Sequence, residues 1–86
     1  MPDYFENLKM TTQKKKNNLK KLGANIKKLR EKEGLSFREF ANICGIDHSK
    51  ISKIEKGQKN ISFLTILRFA EALGVHPMQL LENEFE

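Results

Sequence analysis

Among the 86 residues there is one cysteine and no tryptophan. A single thiol, Cys44, can neither close an internal disulfide nor build an ordinary zinc site, so metal and redox roles drop away and a reducing compartment is expected. Uninterrupted apolar runs are a few residues long, far short of the roughly 20 that a membrane span needs. No apolar stretch of the signal-peptide kind lies near the N-terminus. These absences predict a cytoplasmic protein with no membrane contact. Also missing are an acid/base pair, a nucleophile with its base, and a glycine loop spaced to cradle phosphate, so an enzyme, a metal and a cofactor are not expected. No repeat of fixed period is visible. A chain this short has room for one small domain and one core, not for a deep cleft.

What is present in excess is positive charge: 16 Lys and Arg against 11 Asp and Glu, a net charge of +5. The distribution is uneven. Residues 1–22 and residues 23–77 each carry +4, whereas the tail from Met78 holds Glu82, Glu84 and Glu86 and no cation, giving −3. A basic pole favours phosphate-rich partners, because every neutralised phosphate releases condensed counterions.

Glycine punctuates the chain. Gly34, Gly45, Gly57 and Gly74 each follow a segment of helical spacing, as left-handed C-terminal caps do. Starts are marked as well: Ser36 with Glu39 reads as a capping box, Asp47 and Ser62 are N-cap types, and Pro77 suits the first position of a last short helix. The pattern predicts five helices, at about 24–33, 36–44, 47–56, 62–73 and 77–83, and no strand. Their apolar positions (Ile26 and Leu29; Phe40, Ala41 and Cys44; Ile51 and Ile54; Leu64, Leu67, Ala70 and Leu73; Leu80 and Leu81) would share one core, with Phe63 and Phe69 in it. Short loops then force a compact all-α bundle.

Residues 37–56 carry the informative constellation. Two helices that cross steeply after a tight turn need a small residue at the crossing, here Ala41, and a positive backbone angle in the turn, here Gly45. Ile46, Ile51 and Ile54 would pin the second helix to the core. The opposite face, His48, Ser49, Lys50, Ser52 and Lys53, is left free, followed by Lys56, Gly57, Gln58, Lys59 and Asn60.

Residues 22–81, with the segments LREKEGLS, FREFANICGIDHSKISKIEKG and LTILRFAEALGV, resemble the lambda-repressor-like or Cro/C1-type helix-turn-helix domain, also called the XRE family. The resemblance implies an all-α, five-helix bundle that binds double-stranded DNA, generally as a homodimer on a near-palindromic operator. It makes Asp47–Lys56 the recognition helix. His48, Ser49, Lys50 and Lys53 are then the candidates for base edges, which Lys can meet at guanine O6 and N7. Phosphate contacts fall to Ser36, Arg38, Ser52, Lys56, Lys59 and Asn60. Phe37 joins this set by position, although the family very often has Gln there; an aromatic would pack on sugar, on a thymine methyl or on the protein itself. Arg30 and Glu55 match a family ion pair between the first and third helices, so Arg30 is expected to be structural. Val75, Met78, Leu81 and Phe85 are the exposed apolar candidates for a dimer interface.

The expected division is a flexible basic extension at 1–18, the DNA-binding domain at 19–83 and an acidic end at 84–86. The extension, with Lys14, Lys15, Lys16, Asn17 and Asn18, is either a solvated tail or an arm that follows the DNA backbone. Tyr4, Phe5 and Leu8 could begin an extra helical turn against the domain or a second subunit. The function implied is a sequence-specific transcriptional regulator, a repressor and autoregulatory. Rival readings are an antitoxin or another module with a protein partner, and the controller protein of a restriction-modification system.

Overall fold

A computed structural model describes residues 11–86. The described residues form five helices and no strand: α1 Thr12–Lys32, α2 Phe37–Cys44, α3 His48–Glu55, α4 Phe63–Leu73 and α5 Pro77–Leu80. The caps are those the sequence signals. The Ser36 hydroxyl accepts from the Glu39 amide (3.1 Å) while the Glu39 carboxylate accepts from the Ser36 amide (3.0 Å), and Asp47 and Ser62 cap α3 and α4. His76 caps α5, its Nδ1 accepting from the Met78 amide at 3.1 Å.

The first helix departs from expectation, starting at Thr12 rather than near residue 24. The run Lys14–Asn18, read from sequence as a flexible arm, is helical. Thr11 Oγ1 accepts from the Lys14 amide (3.1 Å), and the Gln13 side chain donates to Asn17 one turn on (2.9 Å). This stretch has no apolar stripe, so hydrophobic periodicity could not register it. The expected apolar turn at Tyr4, Phe5 and Leu8 lies outside the described residues.

The last helix is shorter than expected, one turn ending at Leu80 rather than reaching 83. Beyond it the acidic end runs back along α1. Asn25 donates to the Leu80 and Glu82 carbonyls (2.9 and 3.0 Å), Lys21 to the Glu84 carbonyl (2.5 Å), and Asn17 to the Glu86 carboxylate (2.8 Å). Asn18 and Glu86 exchange two bonds, side-chain amide to carbonyl at 3.1 Å and backbone amide to Asn18 Oδ1 at 2.7 Å. Residues 17–25 of α1 and residues 80–86 are therefore fastened to each other.

The core comprises Leu22, Ile26, Phe40, Ala41, Cys44, Ile51, Ile54, Phe69, Ala70, Leu73 and Leu80. The Phe40 and Phe69 rings meet tilted by 52° at 5.0 Å between centroids. Burial, only slightly opposed by Arg68, pushes the Cys44 thiol up to about 11, so the sulfur serves as a small apolar side chain. Phe63 and Leu64, assigned to the core from sequence, are each 70% exposed. They occupy the first turn of α4, ahead of the turns that carry Phe69, Ala70 and Leu73 inward. Leu67 is half-buried and Leu81 is exposed.

One close approach sets the position of α3. A Cβ on Gly23 would overlap the Glu55 carbonyl oxygen and lie 2.5 Å from that of Ile54. Only the absence of a side chain lets α1 touch the backbone at the end of α3.

Candidate nucleic-acid interface

The turn between α2 and α3 follows from Gly45, whose φ of 68° ends α2 in the left-handed region. The Ile46 amide then reaches back to the Ala41 carbonyl at 3.1 Å, closing a tight helix end over the small buried Ala41. Ile51 and Ile54 fasten α3 inward, so its remaining face turns to solvent.

On that face His48, Ser49 and Lys53 are exposed, and Lys50 and Ser52 are half-buried. The Asp47 carboxylate accepts from the Ser49 amide at 3.0 Å. That bond, helped by the Ser49 side chain and by nearby His48 and Lys53, holds its carboxyl below the usual aspartate value. His48 Nδ1 stands 3.6 Å from the Asp47 carboxylate. Asp47 is thus occupied as the cap of α3, and Lys50 and Lys53 outnumber it, so the outward charge of the helix is positive.

Around this helix lie the phosphate candidates. Ser36 and Arg38 are exposed at the start of α2, and Lys56, Lys59 and Asn60 are exposed in the segment after α3. A shallow groove between α2 and α3 is lined by Arg38, Asn42 and His48. Asn42 was missed in the sequence, although it stands one turn after Arg38 on the same helical face. Gln58 is a second exposed polar side chain in the loop that sequence reasoning left without a role.

Arg30 and Glu55 lie behind the site rather than in it. The guanidinium donates to both Glu55 oxygens, Nε at 2.7 Å and Nη2 at 3.2 Å, and through Nη1 to the Leu35 carbonyl at 2.5 Å. Both residues are buried. Phe37 completes the arrangement, its half-buried ring 4.3 Å from the Arg30 guanidinium carbon. Of the alternatives the sequence left open for Phe37, packing on the protein is the one this contact shows, with the ring face over the Arg30 cation.

The dimer candidates separate. Met78, Leu81 and Phe85 are exposed, whereas Val75 is half-buried against the core and so is not the exposed side chain expected.

Family comparison agrees with this geometry: the pattern of the helix-turn-helix domain matches residues 21–82. The chain belongs to the helix-turn-helix family. Control protein C.BamHI of Bacillus amyloliquefaciens is 35% identical over 68 residues, covering 77% of this chain and 84% of that protein. The crystal structure of the restriction-modification controller protein C.AhdI from Aeromonas hydrophila superposes with a TM-score of 0.73 at 38% identity, covering 74% of this chain and 97% of that one. A protein of Pyrococcus abyssi named for HTH-type transcriptional regulation is 38% identical over 68 residues, but this chain spans only 21% of its length. The chain has the lambda-repressor-like fold of Cro/C1-type helix-turn-helix proteins and is a DNA-binding transcriptional regulator. Among the described residues no helix is long and apolar enough to cross a membrane.

Proposed function

We propose that this regulator acts in the cytoplasm as a repressor of its own transcription unit, binding a near-palindromic operator as a homodimer. In each half-site α3 enters the major groove, with His48, Ser49, Lys50 and Lys53 toward base edges. Ser36, Arg38, Ser52, Lys56, Lys59 and Asn60 meet the flanking phosphates. The observation that carries this reading is the outward face of α3, polar and basic on a helix whose other face is fixed by Ile51 and Ile54. Exposed Met78, Leu81 and Phe85 support pairing of two copies near α5, and two such domains would address sites about 34–36 Å apart.

A second reading, the controller protein of a restriction-modification system, is favoured by the similarity to C.AhdI over 97% of that chain. It differs in the genes controlled, not in the mode of binding. An antitoxin-like role with a protein partner has no comparable support.

Selection of random duplexes at about 150 mM salt, where nonspecific phosphate binding is weak, tests the proposal. Enrichment of a two-fold symmetric motif is expected; enrichment of nothing overturns it. On the selected site, Lys53→Ala should relax sequence preference, and Lys59→Ala should weaken all duplexes about equally.

A further inference from the structure

The two turns of α1 that precede the family's matched segment run beside the loop that follows α3. The contact is direct: a Cβ on Gly57 would lie 2.7 Å from the backbone nitrogen and the Cγ of Lys20 and 2.8 Å from its Cα. The groove between them is lined by Lys16, Lys20, Lys56, Gln58, Lys59 and Asn60, with Leu19 and Gly57 as its apolar floor. No carboxylate lines it. None of the four lysines takes part in an ion pair among the described residues, where the charged pair is Arg30–Glu55 and the one other close approach is His48 to Asp47. Lys16 and Lys20 are one turn apart and so share a helical face, and both are exposed. Four like charges held around one groove repel one another unless an anion is shared between them.

We propose that this groove is a further phosphate-binding site for the sugar-phosphate backbone beside the half-site, in which Lys16 and Lys20 of α1 act with Lys56 and Lys59. It rests on the DNA-binding reading above and adds to it a contact from residues outside the helix-turn-helix segment. The occupant is duplex DNA for a positional reason: the loop carrying Lys56, Lys59 and Asn60 leaves the C-terminal end of the recognition helix, so a backbone that flanks α3 passes the open side of the groove. The helical form of residues 12–20 is what makes this possible, because it holds Lys16 and Lys20 at a fixed height rather than on a wandering tail. The acidic end, tied to Asn17, Asn18 and Lys21, lies on another face of α1 and leaves Lys16 and Lys20 uncovered.

The test compares the wild-type chain with Lys16→Gln/Lys20→Gln and with a charge-matched control, Lys15→Gln/Lys32→Gln, whose lysines do not line the groove. Gln keeps the Cβ and Cγ that pack on Gly57, and circular dichroism checks that each variant stays folded. Binding to the selected duplex is measured from about 50 to 300 mM salt. Each phosphate contact contributes about 0.9 to the slope of log K against log salt, so the groove variant should lose about two units of slope and keep its sequence preference, with the control nearly unchanged. Equal slopes for wild type and groove variant, or equal losses in both variants, overturn the proposal while leaving the DNA-binding reading intact. A wild-type chain that binds no duplex at any salt overturns both.

Discussion

The two halves of α1 are held by opposite means. From Leu22 to Arg30 the helix is fixed from within: Leu22 and Ile26 are buried, Gly23 touches the α3 backbone, and Arg30 is locked to Glu55. From Thr12 to Lys21 it is held mostly from outside, by a cap, an amide pair on its own surface and hydrogen bonds to residues 84–86, with the approach of Lys20 to Gly57 as a close packing contact. The C-terminal half carries the recognition helix. The N-terminal half presents lysines beside the loop that follows it. Burial gives strong, cooperative restraint, whereas each exposed bond exchanges with water and contributes little.

The comparison breaks most severely at the buried pair. Arg30→Ala strands the Glu55 carboxylate and leaves the Phe37 ring without its cation, at a cost of about 3–5 kcal/mol measurable by urea denaturation. Gly23→Ala comes next, because the new methyl meets backbone carbonyls that cannot rotate away; about 1–3 kcal/mol is expected, with an altered chemical shift pattern along α3 by NMR. Removal of residues 84–86 should behave differently. Global stability should fall by less than about 1 kcal/mol, but amide exchange should quicken at residues 12–20 and stay slow at 22–30. Equal quickening in both halves would erase the distinction.

The smallest effect concerns the caps. The Ser36 amide and hydroxyl hold the Glu39 carboxyl below its ordinary 4.5, and the Ser49 amide does the same for Asp47 below 3.8. A carboxyl lowered by folding adds stability above its unfolded value and loses it as pH falls through the folded one. The melting temperature should therefore fall slightly below about pH 4.5, and Glu39→Gln should flatten that decline in a thermal scan.

Much of this was legible because it is local. A cap needs a side chain within three residues of the amide it satisfies, so Ser36, Asp47, Ser62 and Pro77 announced their helices. The alternation of Ile51 and Ile54 with polar neighbours announced the free face of α3. Phe63 and Leu64 misled, since hydropathy marks what can be buried and not where a helix leaves the bundle. Asn42 was visible only through its place one turn after Arg38, and Gln58 only as a polar residue of the loop after α3. Lys16 and Lys20 were visible as charge but not as neighbours of Lys56 and Lys59.

The sequence by itself determined the five-helix order, the tight turn at Gly45 and the outward chemistry of α3, because caps, turns and amphipathic faces depend on residues a turn or two apart. Only the tertiary structure decided that Thr12–Lys21 is helical, that Phe37 packs on Arg30, and that the acidic end lies along α1. Those outcomes depend on contacts between residues as many as 69 positions apart, whose free energy exists only once the core has brought the distant segments together.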